Sequence, residues 1–127
     1  MDKGEAQELL PLTAAVFNIL LALSDGEARH GYGISKRVER RTGGRVRLGP
    51  GTLYGGIKRM ISQGLIEETG EHSGGDGREE SRRYYRITGF GHRVAAAEAE
   101  RLEGLVEAAR ESGLLPGRGP ETTPEGA

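Results

Sequence analysis

A chain of 127 residues with 35% hydrophobic and 5% aromatic content suits one compact domain with extensions, and its small core must come from Leu, Ile, Val and Ala, a kind often completed by dimerisation. It contains no cysteine, which excludes disulfides, thiol catalysis and thiolate metal sites and fits a reducing cytoplasm. The formal charge of -1 hides a segregation: nine Lys or Arg between Arg29 and Arg59 face the single acid Glu39, a local charge of +8 that is the footprint expected for a polyanion partner, whereas residues 93–127 hold seven Glu against four Arg.

Residues 1–8 are polar and read as a flexible N-terminus. Met1 to Glu5 lack the basic and apolar regions of a signal peptide, and no apolar run is long enough to span a bilayer, so a cytoplasmic protein with no membrane partner is expected. A first helix is predicted from about Pro11 to Ser24, with Leu12, Ala15, Val16, Ile19, Leu20 and Leu23 on one face. Asp25 to Arg29 reads as a turn. A second helix runs from about Gly31 to Thr42 and is ended by Gly43 and Gly44. Ile34 and Val38 anchor it, while Ser35, Lys36, Arg37, Arg40 and Arg41 make its other face too cationic to be buried unpaired.

After the basic loop from Arg45 to Gly49, Pro50 suits the first position of a third helix, where its missing N–H is harmless, and Gly64 stops that helix. Leu53, Ile57, Met60 and Ile61 make its apolar stripe; Gly51, Thr52, Gly55, Lys58, Arg59 and Ser62 make a small, hydroxylated and cationic face fit for phosphates and base edges. Gly55 and Gly56 inside the helix each lose about 1 kcal/mol relative to alanine. Close approach of a DNA strand or a tight internal crossing would each account for Gly55, with Gly56 nearer the packed side. Leu65 to Thr69 and Ser81 to Thr88 read as two strands joined by a charged, glycine-rich and mobile tip over residues 70–80, a hairpin wing. Thr88 is a plausible N-cap for a last helix reaching about Ser112, with Val94, Ala95, Leu102, Leu105, Val106 and Ala109 in a stripe that a second chain is the simplest means of covering. From Gly113 onward Gly, Pro, Thr and Glu predominate, and a disordered tail over 113–127 is expected.

Helices followed by a recognition helix and a two-stranded wing define a winged helix-turn-helix domain over residues 9–88, mainly α with a small β-hairpin, followed by a dimerisation helix over 89–112. The residues themselves resemble the PadR family of bacterial transcription regulators. His30-Gly-Tyr-Gly-Ile-Ser35 resembles the family's start of the second helix, and Gly51-Thr-Leu-Tyr54 followed by Lys58-Arg59 its recognition-helix signature. Gly64-Leu-Ile-Glu67 and Arg83-Tyr-Tyr-Arg-Ile-Thr-Gly-Phe-Gly91 resemble its wing strands and the turn into its dimerisation helix. The resemblance covers about residues 10–110. It departs at Gly55-Gly56, where many members have Pro or Ala, and in the short last helix, which places the chain with the small members.

The resemblance implies a homodimeric repressor that lays one recognition helix per protomer in a major groove of a pseudo-palindromic double-stranded DNA operator, with a wing beside it and with an unidentified small-molecule effector as a further partner. Thr52 and Tyr54 offer hydroxyls near the start of the third helix, where exposed N–H groups also favour phosphate. Lys58 and Arg59 reach phosphates or guanine edges. Tyr32, Ser35 and Lys36 suit a backbone clamp, and Arg78, Arg82 and Arg83 are the wing's contacts. Val94, Leu102, Leu105, Val106 and Ala109 are the dimerisation residues.

Other functions fit less well. Gly44 to Gly49 has the glycine interval of a phosphate-binding loop, but Pro50-Gly51-Thr52 follows, so the required lysine is absent. His30, His72 and His92 are too scattered for a metal site and read as surface or capping residues, and the Glu of the last helix read as its solvated face. No enzyme activity and no cofactor are expected. A winged-helix module that binds protein without DNA is the main alternative, and it would not require such charge segregation. An RNA partner fits less well, since the major groove of A-form RNA is deep and narrow.

Overall fold

The computed structural model describes residues 3–70 and 83–117; residues 71–80 of the expected mobile tip, with Arg78, the first two residues of the expected second wing strand, Ser81 and Arg82, and the tail from residue 118 lie outside the described residues. In chain order the elements are α1 (Lys3–Gln7), α2 (Ala14–Ala22), β1 (Arg29–His30), α3 (Gly31–Arg41), α4 (Pro50–Ser62), β2 (Ile66–Glu68), β3 (Tyr84–Ile87) and α5 (Gly89–Glu111). The strands form one antiparallel sheet in the order β1-β3-β2, with Arg29 opposite Tyr85 and Ile66 opposite Ile87. The winged helix-turn-helix plan read from the sequence is therefore present, with a third strand where only a turn was expected.

Local capping residues set the helix boundaries. Thr13 Oγ1 accepts from the Val16 N–H at 3.1 Å, so α2 starts at Ala14, three residues after Pro11. Gly49 and Pro50 open α4 as expected, and Gly64 at φ 78° ends it, where the Leu65 N–H donates to the Met60 carbonyl at 2.9 Å. Thr88 caps α5 by accepting from the Gly91 N–H at 2.9 Å, and its hydroxyl donates to the Gly64 carbonyl at 2.6 Å. One side chain thus ties the end of α4 to the start of α5.

The core gathers Val16, Ile19 and Leu20 from α2 with its C-cap Leu23, Ile34 and Val38 from α3, Leu53, Ile57 and Met60 from α4, Leu65 and Ile66, Tyr85, and Val94 and Ala95 from α5. Three expectations change here. Ile61 is exposed, because α4 turns Gly56, Ile57 and Met60 towards α2 and leaves Ile61 on the flank. Residues 3–7, expected to be loose, form α1, whose Ala6 is buried in the core. Val94 is fully buried within its own chain, so its burial needs no partner.

Glu98 is a fourth. It was expected on a solvated face, yet it is 2% exposed. Arg101 holds it through two parallel hydrogen bonds of 2.8 Å, and the Leu12 backbone also donates to it. The Arg101 guanidinium keeps its carboxyl below the ordinary value of 4.5, against the opposing effect of burial. A carboxylate with a depressed folded pKa stabilises the fold fully above that ordinary value and loses this contribution as pH falls through the depressed one. Glu98→Gln is therefore expected to cost about 1–3 kcal/mol at neutral pH and to flatten the acid limb of thermal stability; equal acid sensitivity in variant and parent would refute the role.

Candidate nucleic-acid interface

The start of α3 is organised by His30, whose Nδ1 accepts from the Gly33 N–H at 3.0 Å. The accepting Nδ1 is unprotonated, and the ring is fixed as the helix cap. It stacks beside Tyr32 with centroids 6.3 Å apart and meets Tyr84 of β3 edge-on at 5.3 Å. Lys36 Nζ lies 5.7 Å from the centre of the Tyr32 ring, within cation–π range. These rings, with Arg29, Arg37 and Arg40, line an open cleft of 380 Å³ between α3 and the wing base.

Gly31 joins this cleft to α4. A Cβ there would collide with the Tyr54 hydroxyl and stand 2.7 Å from its ring, so the Tyr54 ring lies directly against the first residue of α3. Tyr54 remains 49% exposed and Tyr32 64% exposed. Along α4, Gly51, Thr52, Gly55, Lys58, Arg59 and Ser62 are all exposed. Gly55 faces open space, which removes a tight internal crossing as its explanation; a Cβ at Gly56 would meet Ile19 Cδ1 at an ordinary 3.5 Å.

The cations of the basic block are not equivalent. Arg29 is locked by Asp25 through hydrogen bonds of 2.8 and 2.9 Å and donates to the Ala22 carbonyl at 3.2 Å, while Arg37 stands 3.5 Å from the same carboxylate. Hydrogen bonds from Arg29, and then from the Glu27 N–H, hold the Asp25 carboxyl well below the usual carboxylate range. Lys36 and Arg47 both reach Glu39, at 3.7 and 3.6 Å. Arg40, Arg41, Arg45, Lys58 and Arg59 are exposed.

Of the residues singled out in the sequence, Tyr32, Ser35 and Lys36 share one face of α3, and Thr52, Tyr54, Lys58 and Arg59 lie on exposed positions of α4. Arg83 is exposed at the wing, with Nη1 3.5 Å from Glu68 of β2. His30, Arg40 and Tyr84 join the cleft although the sequence reading did not select them. The signal for His30 was its place one residue before a helix start. Tyr84 became a neighbour only through the unexpected pairing of β1 with β3. Leu105 and Val106 of α5 are 56% and 41% exposed, and Leu102 and Ala109 are half-buried. Among the described residues, no group of three or more His, Asp or Glu is placed to hold a metal ion, and no helix is long and apolar enough to cross a membrane.

The family model of the PadR-like transcriptional regulators matches residues 19–97. A transcriptional regulator from Clostridium thermocellum is 22% identical with a TM-score of 0.64, the match covering 87% of this chain and 96% of that one. A PadR family transcription regulator from Clostridium difficile is 23% identical with a TM-score of 0.62, covering 76% of this chain and 95% of that one. A PadR family transcriptional regulator from Eggerthella lenta is 24% identical with a TM-score of 0.59, covering 85% and 84%. No curated protein matches the chain.

Proposed function

The chain belongs to the PadR-like family of transcriptional regulators, and from that premise we propose that it is a repressor that binds a pseudo-palindromic duplex operator as a homodimer. The observation that supports this reading is the contact of α3 and α4 at Gly31 and Tyr54, with Tyr32, Thr52, Lys58 and Arg59 exposed and Lys36 half-buried on the two helices. A major groove about 12 Å wide admits one helix. With α4 in the groove, Lys58 and Arg59 face the base edges or the flanking phosphates, Tyr32, Ser35 and Lys36 clamp the backbone, and Arg83 lies with the wing beside the next strand. A protein-binding module would favour a neutral or apolar face at this position, and the exposed cations speak against it.

Binding is tested by fluorescence anisotropy against the DNA upstream of the chain's own gene and against a random duplex, across a salt series. Affinity is expected to fall steeply with salt, because each neutralised phosphate releases counterions. Lys58→Ala and Arg59→Ala are each expected to weaken binding while leaving the thermal transition intact. A residue that reads a base edge changes sequence preference by about 1–3 kcal/mol, whereas a phosphate contact lowers affinity evenly and reduces the salt slope by about one. Salt-independent binding, or no preference for any duplex over random sequence, would sink the reading. Repression itself is tested by a reporter carrying the bound upstream DNA, whose output should rise when the gene is deleted.

A further inference from the structure

Glu39 is the single acid between Arg29 and Arg59, and its position on α3 is not peripheral. Successive helical residues advance by about 100° and about 1.5 Å, which puts Glu39 on the same side of α3 as Tyr32, Ser35 and Lys36, about one turn beyond Ser35 and Lys36 and on the flank of the stripe made by the buried Ile34 and Val38. An acid therefore stands at the C-terminal end of the proposed backbone clamp, in contact with its lysine. Its two oxygens engage cations from two elements: Oε1 is 3.7 Å from Lys36 Nζ, and Oε2 is 3.6 Å from Arg47 Nε in the loop that feeds α4. That loop has its own supports. The Thr42 hydroxyl accepts from the Val46 N–H at 3.0 Å and donates to the Val38 carbonyl at 3.0 Å, and Arg47 Nε donates to the Gly44 carbonyl at 3.3 Å.

Ion pairs this long, with Arg47 73% exposed, contribute little to stability. Their effect on a polyanion is larger. A phosphate approaching the clamp meets a carboxylate and finds two of the nearest cations already engaged. We propose that Glu39 is an attenuator of DNA affinity, which lowers the sequence-independent attraction of the α3 face by neutralising Lys36 and Arg47 where phosphates would bind. The inference rests on the DNA-binding reading above and adds a residue that opposes it. Because binding to random duplex is almost wholly electrostatic, attenuation acts directly on the attraction that would hold the protein on unrelated DNA.

The test uses the full chain and a random-sequence duplex, read by anisotropy across a salt series, with thermal unfolding measured in parallel. Glu39→Gln is expected to bind random duplex several-fold more tightly at low salt, with a salt slope steeper by about one, and with an unchanged melting temperature. Arg47→Met is expected to change little in the parent, where Arg47 is engaged, and to remove much of the gain in the Glu39→Gln background. Glu39→Ala serves as a second variant should the amide disturb the loop. A parent that binds while Glu39→Gln and Glu39→Ala bind no tighter overturns the attenuation alone, as does an Arg47→Met effect of equal size in both backgrounds. A parent and variants that all fail to bind any duplex at low salt overturn the DNA-binding reading and the attenuation with it.

Discussion

Gly91→Ala is expected to destabilise the protein by about 3 kcal/mol or more, the upper end of what one overpacked methyl does, out of the roughly 5–15 kcal/mol that a domain holds. A Cβ at this position would overlap the Leu65 carbonyl oxygen and stand 2.9 Å from its carbon and 3.0 Å from Ile87 Cγ1. The obstacle is backbone and has little freedom to move. Leu65 O accepts from the Thr88 N–H at 3.0 Å and stands 3.1 Å from the Thr88 hydroxyl, and Leu65 lies between the end of α4 and the start of β2. Relieving the clash means separating α5 from the wing, and the Thr88 cap would go with it. Gly55→Ala is the matched control, since a Cβ there meets nothing within 4 Å and should stabilise α4 by about 1 kcal/mol. Thermal unfolding followed by circular dichroism should move in opposite directions for the two variants. Equal melting temperatures for Gly91→Ala and the parent would mean that the α4–α5 junction is looser than its hydrogen bonds imply. On DNA, Gly55→Ala is expected to bind less well despite being more stable, if the open space at Gly55 is where the duplex comes closest.

What was legible in the sequence follows from how each feature is encoded. The bounds of α4 rest on Pro50 and Gly64, and the start of α5 on Thr88, because these residues act through their own backbone or a contact three residues away. Local chemistry of that kind survives without knowledge of the fold. The two-residue strand β1 has no pattern of its own and exists because Tyr84 and Tyr85 pair with it from the far side of the wing. The helix α1 is five residues long with Ala6 as its buried contact, too little for a periodic signal. Met60 and Ile61 are adjacent apolar residues 100° apart, and only packing against α2 decides that Met60 goes inward. Glu98 was misread because a charge suggests solvent, although it sits one turn from Val94 with Arg101 three residues on, the spacing that lets a carboxylate be buried with a partner. At the interface, the identity of the exposed cations was readable. Which of them are already engaged was not, since Asp25 and Glu39 act through folded distances.

Replacing Leu105 and Val106 together with Glu is expected to leave a folded monomer that has lost tight operator binding. The stripe on α5 divides into two parts. Its first half, Val94, Ala95 and the paired Glu98, is buried against the chain's own helices, whereas Leu105 and Val106 are exposed and are followed by Leu114 and Leu115, 78% and 40% exposed. A fully buried Leu or Val side chain gains about 1.5–3 kcal/mol over an exposed one, and a two-fold axis counts each twice. Charges at both positions should therefore weaken self-association by at least ~1,000-fold, the equivalent of about 4 kcal/mol. Because neither side chain is buried within the protomer, the variant separates loss of pairing from loss of fold, which a change at Val94 would not do. Two recognition helices one DNA turn apart, about 34 Å, read a pseudo-palindromic site together; a monomer holds one half-site and loses the benefit of the second. Light scattering should give twice the chain mass for the parent at micromolar concentration and the single-chain mass for the variant, with far-ultraviolet circular dichroism unchanged. A parent that is monomeric, folded and bound to its operator under the same conditions would show that the exposed half of α5 serves some purpose other than pairing.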